Sequence, residues 1–242
     1  MTIDAIAGDI GRNIRFVIAL IALGSAAAGL HAQEAFVPLS AEPRHHLKMD
    51  SAKYRVYEVF ADQDEAMLFH EHRADNFAVL LSRSDLTNEV QGGQKTEASV
   101  KPGIVTFAAA SADKSYVHRV LLRGGEPFRN ITIEFLQPRP SVETADSPEP
   151  LDPALTTLRE SPRGKAYRLG LEPNQAARLP SRVSDIFVVC LSEGSVVQKE
   201  AGRSNTSWDC KLGDFRLLEQ PGEAVLENHT MGRVDLVVVA LQ

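Results

Sequence analysis

The stretch "ADNFAVLLS" (residues 74–82) returns, little altered, as "SDIFVVCLS" (residues 184–192), at an offset of 110 residues. The two segments share an Asp, a Phe, a Val, a Leu and a Ser at the same spacing. Three further blocks match in the same order: "YRV" (54–56) with "YRL" (167–169), "VKPG" (100–103) with "CKLG" (210–213), and "ITIEFLQ" (131–137) with "LVVVALQ" (236–242). Four matched blocks in one order predict that the chain contains two copies of one structural unit.

Both copies have the composition of β-strands. Short runs such as "KYRVYEVF", "NFAVLLS", "FRNITIEFL" and "VDLVVVALQ" are rich in β-branched and aromatic residues. Clusters with Gly and Pro, such as "KPG", "RGGEP" and "EQPGE", separate these runs and indicate turns. Many short strands at regular spacing predict a sandwich or a barrel. We expect one short helix, near "PALTTLRES" (153–161).

The ends of the copies suggest the domain organisation. The segment from 138 to 157 is rich in Pro, Ser and acidic residues and is typical of an exposed linker. We therefore expect an N-terminal barrel over residues 33–137, a linker over 138–157 and a C-terminal barrel over 158–242.

Residues 1–32 have the layout of a secretory signal. Arg12 and Arg15 precede the uncharged apolar run "FVIALIALGSAAAG" (16–29), and Ala32 offers a small residue for cleavage. The apolar run is too short to span a bilayer comfortably. We expect the segment to be removed and the protein to be exported, to the periplasm or outside the cell. An uncleaved membrane anchor is the alternative.

Charge and cysteine count bear on two questions: whether nucleic acid is a partner, and whether the chain contains a disulfide. The chain has 242 residues, a net charge of −6 and no basic run, so nucleic acid is excluded as a partner. Its two cysteines, Cys190 and Cys210, either form a single disulfide, as an oxidising compartment would permit, or remain as core thiols.

Two histidines stand immediately before the repeated block, in "LFHEHRADNFAVLL" (68–81). Side chains two residues apart on a strand point to the same face, so His70 and His72 project together. They form either a metal-binding pair or two hydrogen-bonded imidazoles. We expect the pair His45 and His46 to be exposed before the first strand. Glu134 is either a buried acid or, as we expect, part of a strand edge.

The ordered set "YRVYEVFADQDEAMLFHEHRADNFAVLLS", "VKPGIVTFAAASADKSYVHRV" and "FRNITIEFL" resembles the cupin superfamily. The resemblance covers roughly residues 45–137 and, more faintly, 160–242. It implies an all-β bicupin, with two tandem jelly-roll β-barrels. In metal-binding cupins the first motif supplies two His and a Glu, and the second motif supplies another His.

Carried onto this sequence, the pattern implies a metal site in the first copy only. His70 and His72 match the His pair, His118 matches the His of the second motif, and Asn76 stands at a usual Glu position. The resemblance places His118 on a strand across the barrel from the pair. An Asn oxygen is a weak ligand for a hard cation. The expected site is therefore three histidines, with or without Asn76.

The second copy helps to separate Asn76 from its neighbour Asp75. Asp75 has a counterpart in Asp185, yet at the same offset Pro180 and Arg182 replace the histidine pair. An Asp that is kept where the other ligands are lost is expected to shape the entrance of the strand and not to bind metal.

The resemblance implies a divalent metal ion, Fe, Mn, Zn, Ni or Cu, and a metal-dependent enzyme of the dioxygenase, isomerase or lyase type. The alternative is a non-catalytic cupin that binds a small molecule or has a structural role. The sequence leaves open a small-molecule ligand and a homodimer as partners. Contact with a membrane is expected only if the signal segment remains uncleaved. No Gly-x-Ser-x-Gly or phosphate-binding loop suggests other chemistry.

Overall fold

The computed structural model describes residues 34–63, 65–139 and 151–242, and residues 33–242 belong to one compact unit. The expected signal segment lies outside the described residues. In the described part of the chain, no helix has the length and apolar character needed to cross a membrane.

Strands dominate the described residues, with one 3-10 helix at Leu39–Ala41. The first copy forms β1 (Val37–Pro38), β2 (His45–Asp50), β3 (Tyr54–Ala61), β4 (His70–His72), β5 (Asn76–Leu80), β6 (Ser84–Val90), β7 (Lys95–Val100), β8 (Val105–Ala108), β9 (Tyr116–Gly125) and β10 (Phe128–Phe135). The second copy forms β11 (Leu155–Ser161), β12 (Gly164–Leu171), β13 (Ala176–Arg178), β14 (Asp185–Cys190), β15 (Gly194–Glu200), β16 (Thr206–Cys210), β17 (Phe215–Glu219), β18 (Ala224–Asn228) and β19 (Val234–Leu241).

Each copy folds into two sheets with the same strand order. The first copy has the orders β1-β4-β9-β6-β7 and β2-β3-β10-β5-β8, and the second has β13-β18-β15-β16 and β11-β12-β19-β14-β17. The short β1 pairs with β4 in parallel and is the one strand among these without a counterpart. The orders otherwise correspond strand for strand, so the repeat in the sequence is a repeat of one jelly-roll barrel.

The helix expected at residues 153–161 is wrong, because the segment forms β11. Leu155 pairs with Leu169 of β12, and Thr156 and Thr157 continue the antiparallel ladder. Threonine is β-branched and favours this edge strand over a helix. The strand begins inside the segment that the sequence suggested as a linker.

Three apolar clusters form the core, and they differ between the barrels. Apolar side chains such as Leu169, Leu226 and Trp208 form the core of the second barrel. A smaller cluster, which includes Val59 and Phe128, occupies part of the first barrel. The third cluster lies between the barrels: Tyr54, Val56, Phe77, Val79, Leu81, Val105, Ile131, Ile133, Phe135, Ala166, Phe187, Val189, Val237, Val239 and Leu241.

Charged contacts flank this barrel–barrel interface in a reciprocal arrangement. Asp75 of the first barrel accepts a hydrogen bond from Nε of Arg163 in the second, at 2.8 Å. Asp185, its counterpart, accepts from Nζ of Lys53 at 3.2 Å and from the hydroxyl of Tyr54 at 2.6 Å. Lys53 and Arg163 are themselves 110 residues apart, so the two halves contribute equivalent groups to each other.

Cys190 and Cys210 form a disulfide, which resolves the alternative left open by the sequence. Cys190 ends β14 in one sheet of the second barrel, and Cys210 ends β16 in the other. The bond therefore joins the two sheets of that barrel covalently.

Candidate metal centre

β4 and β9 bring His70, His72 and His118 together inside the first barrel. His70 and His72 are buried, whereas Glu71 between them is partly exposed, as strand alternation requires. His118 stands directly opposite His70 in the antiparallel ladder. The expectation that His118 comes from across the barrel is wrong, because β9 is the neighbour of β4 in the same sheet.

Hydrogen bonds fix which ring nitrogen of two of these histidines carries the hydrogen. Nδ1 of His70 donates to the carbonyl of Leu68 at 2.9 Å, and Nδ1 of His118 donates to Oδ1 of Asn88 at 2.6 Å. The Asn88 amide nitrogen donates to the hydroxyl of Tyr116, which orients its oxygen towards His118. Because carbonyl oxygens only accept, Nε2 of each ring keeps a lone pair, as a metal ligand must.

The spacing of the rings suits a common ion. Nε2 of His118 lies 3.2 Å from Nε2 of His72. The ring centroids of His70 lie 5.1 Å from His72 and 4.6 Å from His118. Metal–nitrogen bonds of about 2.1 Å require nitrogens roughly 3–4 Å apart, and the distance between the His72 and His118 nitrogens falls in that range.

Burial keeps these imidazoles neutral. It lowers the pKa of His70 to about 4, with a further contribution from neighbouring His45. Burial and the neighbouring histidines also hold the pKa values of His72 and His118 well below their usual value. A histidine binds metal in its neutral form, so no proton has to leave these rings near neutral pH.

His45 is a member of the cluster that the sequence interpretation missed. One nitrogen from each of His45, His70 and His72 lies within 4.8 Å of the others. The expectation that His45 is exposed is wrong, since it is 9% exposed, whereas His46 is exposed as expected. Alternation along β2 sends adjacent side chains to opposite faces, so one imidazole enters the barrel and the other meets solvent.

Asn76 and Glu134 lie behind His72. The amide nitrogen of Asn76 is 3.4 Å from Nδ1 of His72 and 3.3 Å from the carbonyl of Ala74, so it contacts the nitrogen that does not face His118. Glu134 stands directly opposite Asn76 in the β5–β10 ladder, with its Oε1 3.9 Å from Nδ1 of His72. A carboxylate therefore stands one strand away from the position where the motif lacks its Glu.

The expectation that Glu134 belongs to a strand edge is wrong, and the alternative of a buried acid is correct. β10 lies between β3 and β5, and the side chain is 5% exposed. Burial raises its pKa to about 7, and the charge of Arg55 opposes this only in part. The group can therefore hold or release a proton near neutral pH.

Comparison with known proteins identifies the architecture. No protein-family model and no curated protein matches the sequence. Among solved structures, AerE from Microcystis aeruginosa superposes with a TM-score of 0.60 at 10% identity, covering 84% of this chain and 95% of that one. Oxalate decarboxylase from Lactobacillus farciminis, in its formate complex, gives 0.54 at 9% identity, covering 90% and 88%. The chain has the bicupin fold.

A third similar structure carries a metal. HEPD from Streptomyces albus, with 2-hydroxyethylphosphonate and Fe(II) bound, superposes on this bicupin with a TM-score of 0.56 at 13% identity, covering 81% of this chain and 70% of that one. At such low identity the likeness concerns the fold.

The carboxylate of Asp75 is engaged elsewhere in the bicupin. It accepts hydrogen bonds from Arg139, from Arg163 and from the backbone of Ala110. Burial acts to raise its pKa, but the two guanidinium groups outweigh burial and hold the pKa below its usual value. The interpretation of Asp75 as a structural residue at the strand entrance agrees with these contacts.

The C-terminal cupin has apolar side chains in place of the histidines. β13 and β18 correspond to β4 and β9, and their paired inward residues are Ala177 and Leu226, with Leu179 following. The sequence comparison, which set Pro180 and Arg182 against His70 and His72, is wrong by three residues. The connection from β13 to β14 (179–184) is longer by that amount than the one from β4 to β5 (73–75).

Proposed function

We propose that this bicupin is a metal-dependent enzyme of small-molecule metabolism, with a divalent metal held by His70, His72 and His118 in the N-terminal barrel. One observation carries the proposal: these three imidazoles are neutral, lie close together, and two of them are locked with Nε2 as the lone-pair nitrogen. The residues thus fit the metal that the fold family implies. Imidazole donors suit Fe, Mn, Ni, Cu or Zn.

The arrangement also supports catalysis over simple storage of an ion. Three protein ligands leave coordination positions open, as in catalytic sites. A bound metal would supply Lewis acidity or activation of water or dioxygen. Glu134, buried beside His72 with its pKa raised to about 7, is placed to take up or give a proton. Tyr116 packs on His118 with ring centroids 4.5 Å apart and helps to hold that ring.

Metal analysis of purified His72→Ala protein tests the proposal. We expect the wild-type chain to hold about one metal per molecule and the variant to lose most of it while staying folded, since none of the three apolar clusters includes a histidine. Arg182→Ala, an exposed change in the second barrel, should keep the wild-type content. A wild-type chain without metal, or a His72→Ala chain that retains it, would leave a binding or structural role.

We also propose that the protein is exported after removal of residues 1–32. The Cys190–Cys210 disulfide supports this, because such bonds persist in oxidising compartments. N-terminal sequencing of exported material should begin near residue 33. Membrane-bound protein that still carries Met1 would contradict the proposal.

A further inference from the structure

A buried carboxylate stands beside the histidine cluster without being part of the cupin motif. Glu42 is 1% exposed. Its Oε2 accepts hydrogen bonds from the backbone N–H of Arg44 at 2.7 Å and from Nδ1 of His45 at 2.8 Å. Its Oε1 accepts from the backbone N–H of Leu68 at 3.2 Å. Three donors therefore hold both oxygens in place.

These contacts determine the tautomer of His45. Each oxygen of Glu42 already accepts a hydrogen bond from a backbone N–H, that of Arg44 on Oε2 and that of Leu68 on Oε1. A carboxylate whose two oxygens both act as acceptors also accepts from His45, so Nδ1 of His45 carries the hydrogen. In the neutral form of the His45 ring, Nε2 is then the lone-pair nitrogen, as it is in His70 and His118.

The same carboxylate also connects to His70. The peptide N–H of Leu68 binds Glu42, and the carbonyl of Leu68 accepts from Nδ1 of His70. The His45 and His70 rings lie 4.6 Å apart. One buried anion thus orients two neighbouring imidazoles, directly and through one residue, which is how outer groups orient the histidines of metal sites.

From this geometry we infer that His45 is a fourth nitrogen ligand of the N-terminal metal and that Glu42 is its positioning residue. The inference rests on the proposed function and extends its ligand set. The first motif has Asn76 where a carboxylate ligand is usual, and that amide contacts the far nitrogen of His72. His45, from the first strand of the sheet opposite β4, supplies the missing donor. Four imidazole ligands would favour Co²⁺, Ni²⁺, Cu²⁺ or Zn²⁺ over Mg²⁺ or Ca²⁺.

Titration of the metal-free full chain with Co²⁺ tests this inference, because the visible absorption of Co²⁺ reports its ligands without any activity assay. His45→Ala should weaken Co²⁺ binding by more than the roughly 10–100-fold typical of losing an orienting partner, and should change the absorption bands. The matched control is His46→Ala, which removes the exposed neighbouring imidazole from the same strand. It should bind as the wild type does.

Glu42 variants separate positioning from simple packing. Glu42→Ala should weaken Co²⁺ binding roughly 10–100-fold, and Glu42→Gln, whose amide oxygen can still accept from His45, should recover most of the loss. Circular dichroism establishes that each variant is folded, and if His45→Ala does not fold, His45→Gln is read in its place.

The outcomes distinguish the two proposals. If the wild type binds no Co²⁺, the metal site itself fails and this inference fails with it. If His72→Ala abolishes binding while His45→Ala, or His45→Gln, binds with wild-type affinity and spectrum, the proposed function stands and His45 is not a ligand.

Discussion

Polar side chains at alternate positions of β10 point into the first barrel. Among them only Glu134 has an ionisable side chain. Asn130, Thr132 and Glu134 are buried, whereas Ile131 and Ile133 between them pack against the second barrel. By their pairing with β14, the corresponding positions of β19 are the apolar Leu236, Val238 and Ala240, one residue further along than the sequence match of 131–137 with 236–242 gives. The polar lining of the first barrel is thus created by single-residue differences on strands that are otherwise equivalent.

At the residue scale, we expect the ionisation of Glu134 to make the free energy of unfolding depend on pH. Folding raises its pKa from 4.5 to about 7, because burial disfavours the charge. Between these values the folded protein binds more protons than the unfolded chain, so the free energy of unfolding falls as pH rises. The loss amounts to about 3 kcal/mol. Glu134→Gln cannot ionise and should lack it.

Urea unfolding of both metal-free proteins at several pH values measures this effect. Other titrating groups are common to the two proteins, so the difference between their curves isolates Glu134. Stability curves that run parallel from acid to neutral pH would contradict the assignment.

At the scale of the strand, the sequence correctly predicted that side chains alternate between two faces. It did not always predict which face is buried. Phe77 and Val79 match Phe187 and Val189, and all four face the barrel–barrel interface. The residues that the two copies share therefore lie mainly at the interface between the barrels and less in the barrel interiors. The shared strand face of His70 and His72 was predictable for the same reason, from the two-residue period.

The same rule failed on β10 and β2 for a physical reason. In "RNITIEF" (129–135) polar and apolar residues alternate, which ordinarily marks a strand with one wet face. Here the apolar face packs on the other barrel and the polar face turns into the first barrel, where Glu134 is buried beside His72. The buried His45 ring binds the carboxylate of Glu42, three residues earlier. No periodicity carries that information.

Tight contact between β12 and β19 gives an element-scale prediction. Gly164 opens β12 at φ +138, and an added Cβ would lie 2.1 Å from the carbonyl oxygen of Ala240. Gly202 also has a positive φ, +74, but open space around it. Gly202→Ala should cost only the backbone strain of about 1 kcal/mol. Gly164→Ala should cost clearly more, because a backbone atom must move, and equal losses in thermal unfolding would show that contact to be loose.

At the scale of the whole molecule, the equivalent aspartates allow an internal comparison. Asp75 neutralises Arg163, whose side chain is 9% exposed, whereas Asp185 faces Lys53, which is 43% exposed. Asp75→Asn leaves a buried guanidinium uncompensated, and such losses cost about 3–5 kcal/mol. Asp185→Asn should cost less, since Lys53 can turn to water and the amide can still accept from Tyr54. Urea unfolding measures both, and a larger loss for Asp185→Asn would contradict this account.

The reciprocal contacts at the interface also bear on how many sites an assembly contains. The two halves contact each other through equivalent surfaces, as the subunits of an isologous homodimer do. Two N-terminal halves from separate chains would offer each other the same apolar sheet. Joining an N-terminal and a C-terminal half covalently gives that pairing an effective concentration on the order of millimolar, which favours it over pairing between chains. Because the two halves are tethered, each pair of barrels contains one barrel with the histidine cluster and one barrel whose interior is apolar.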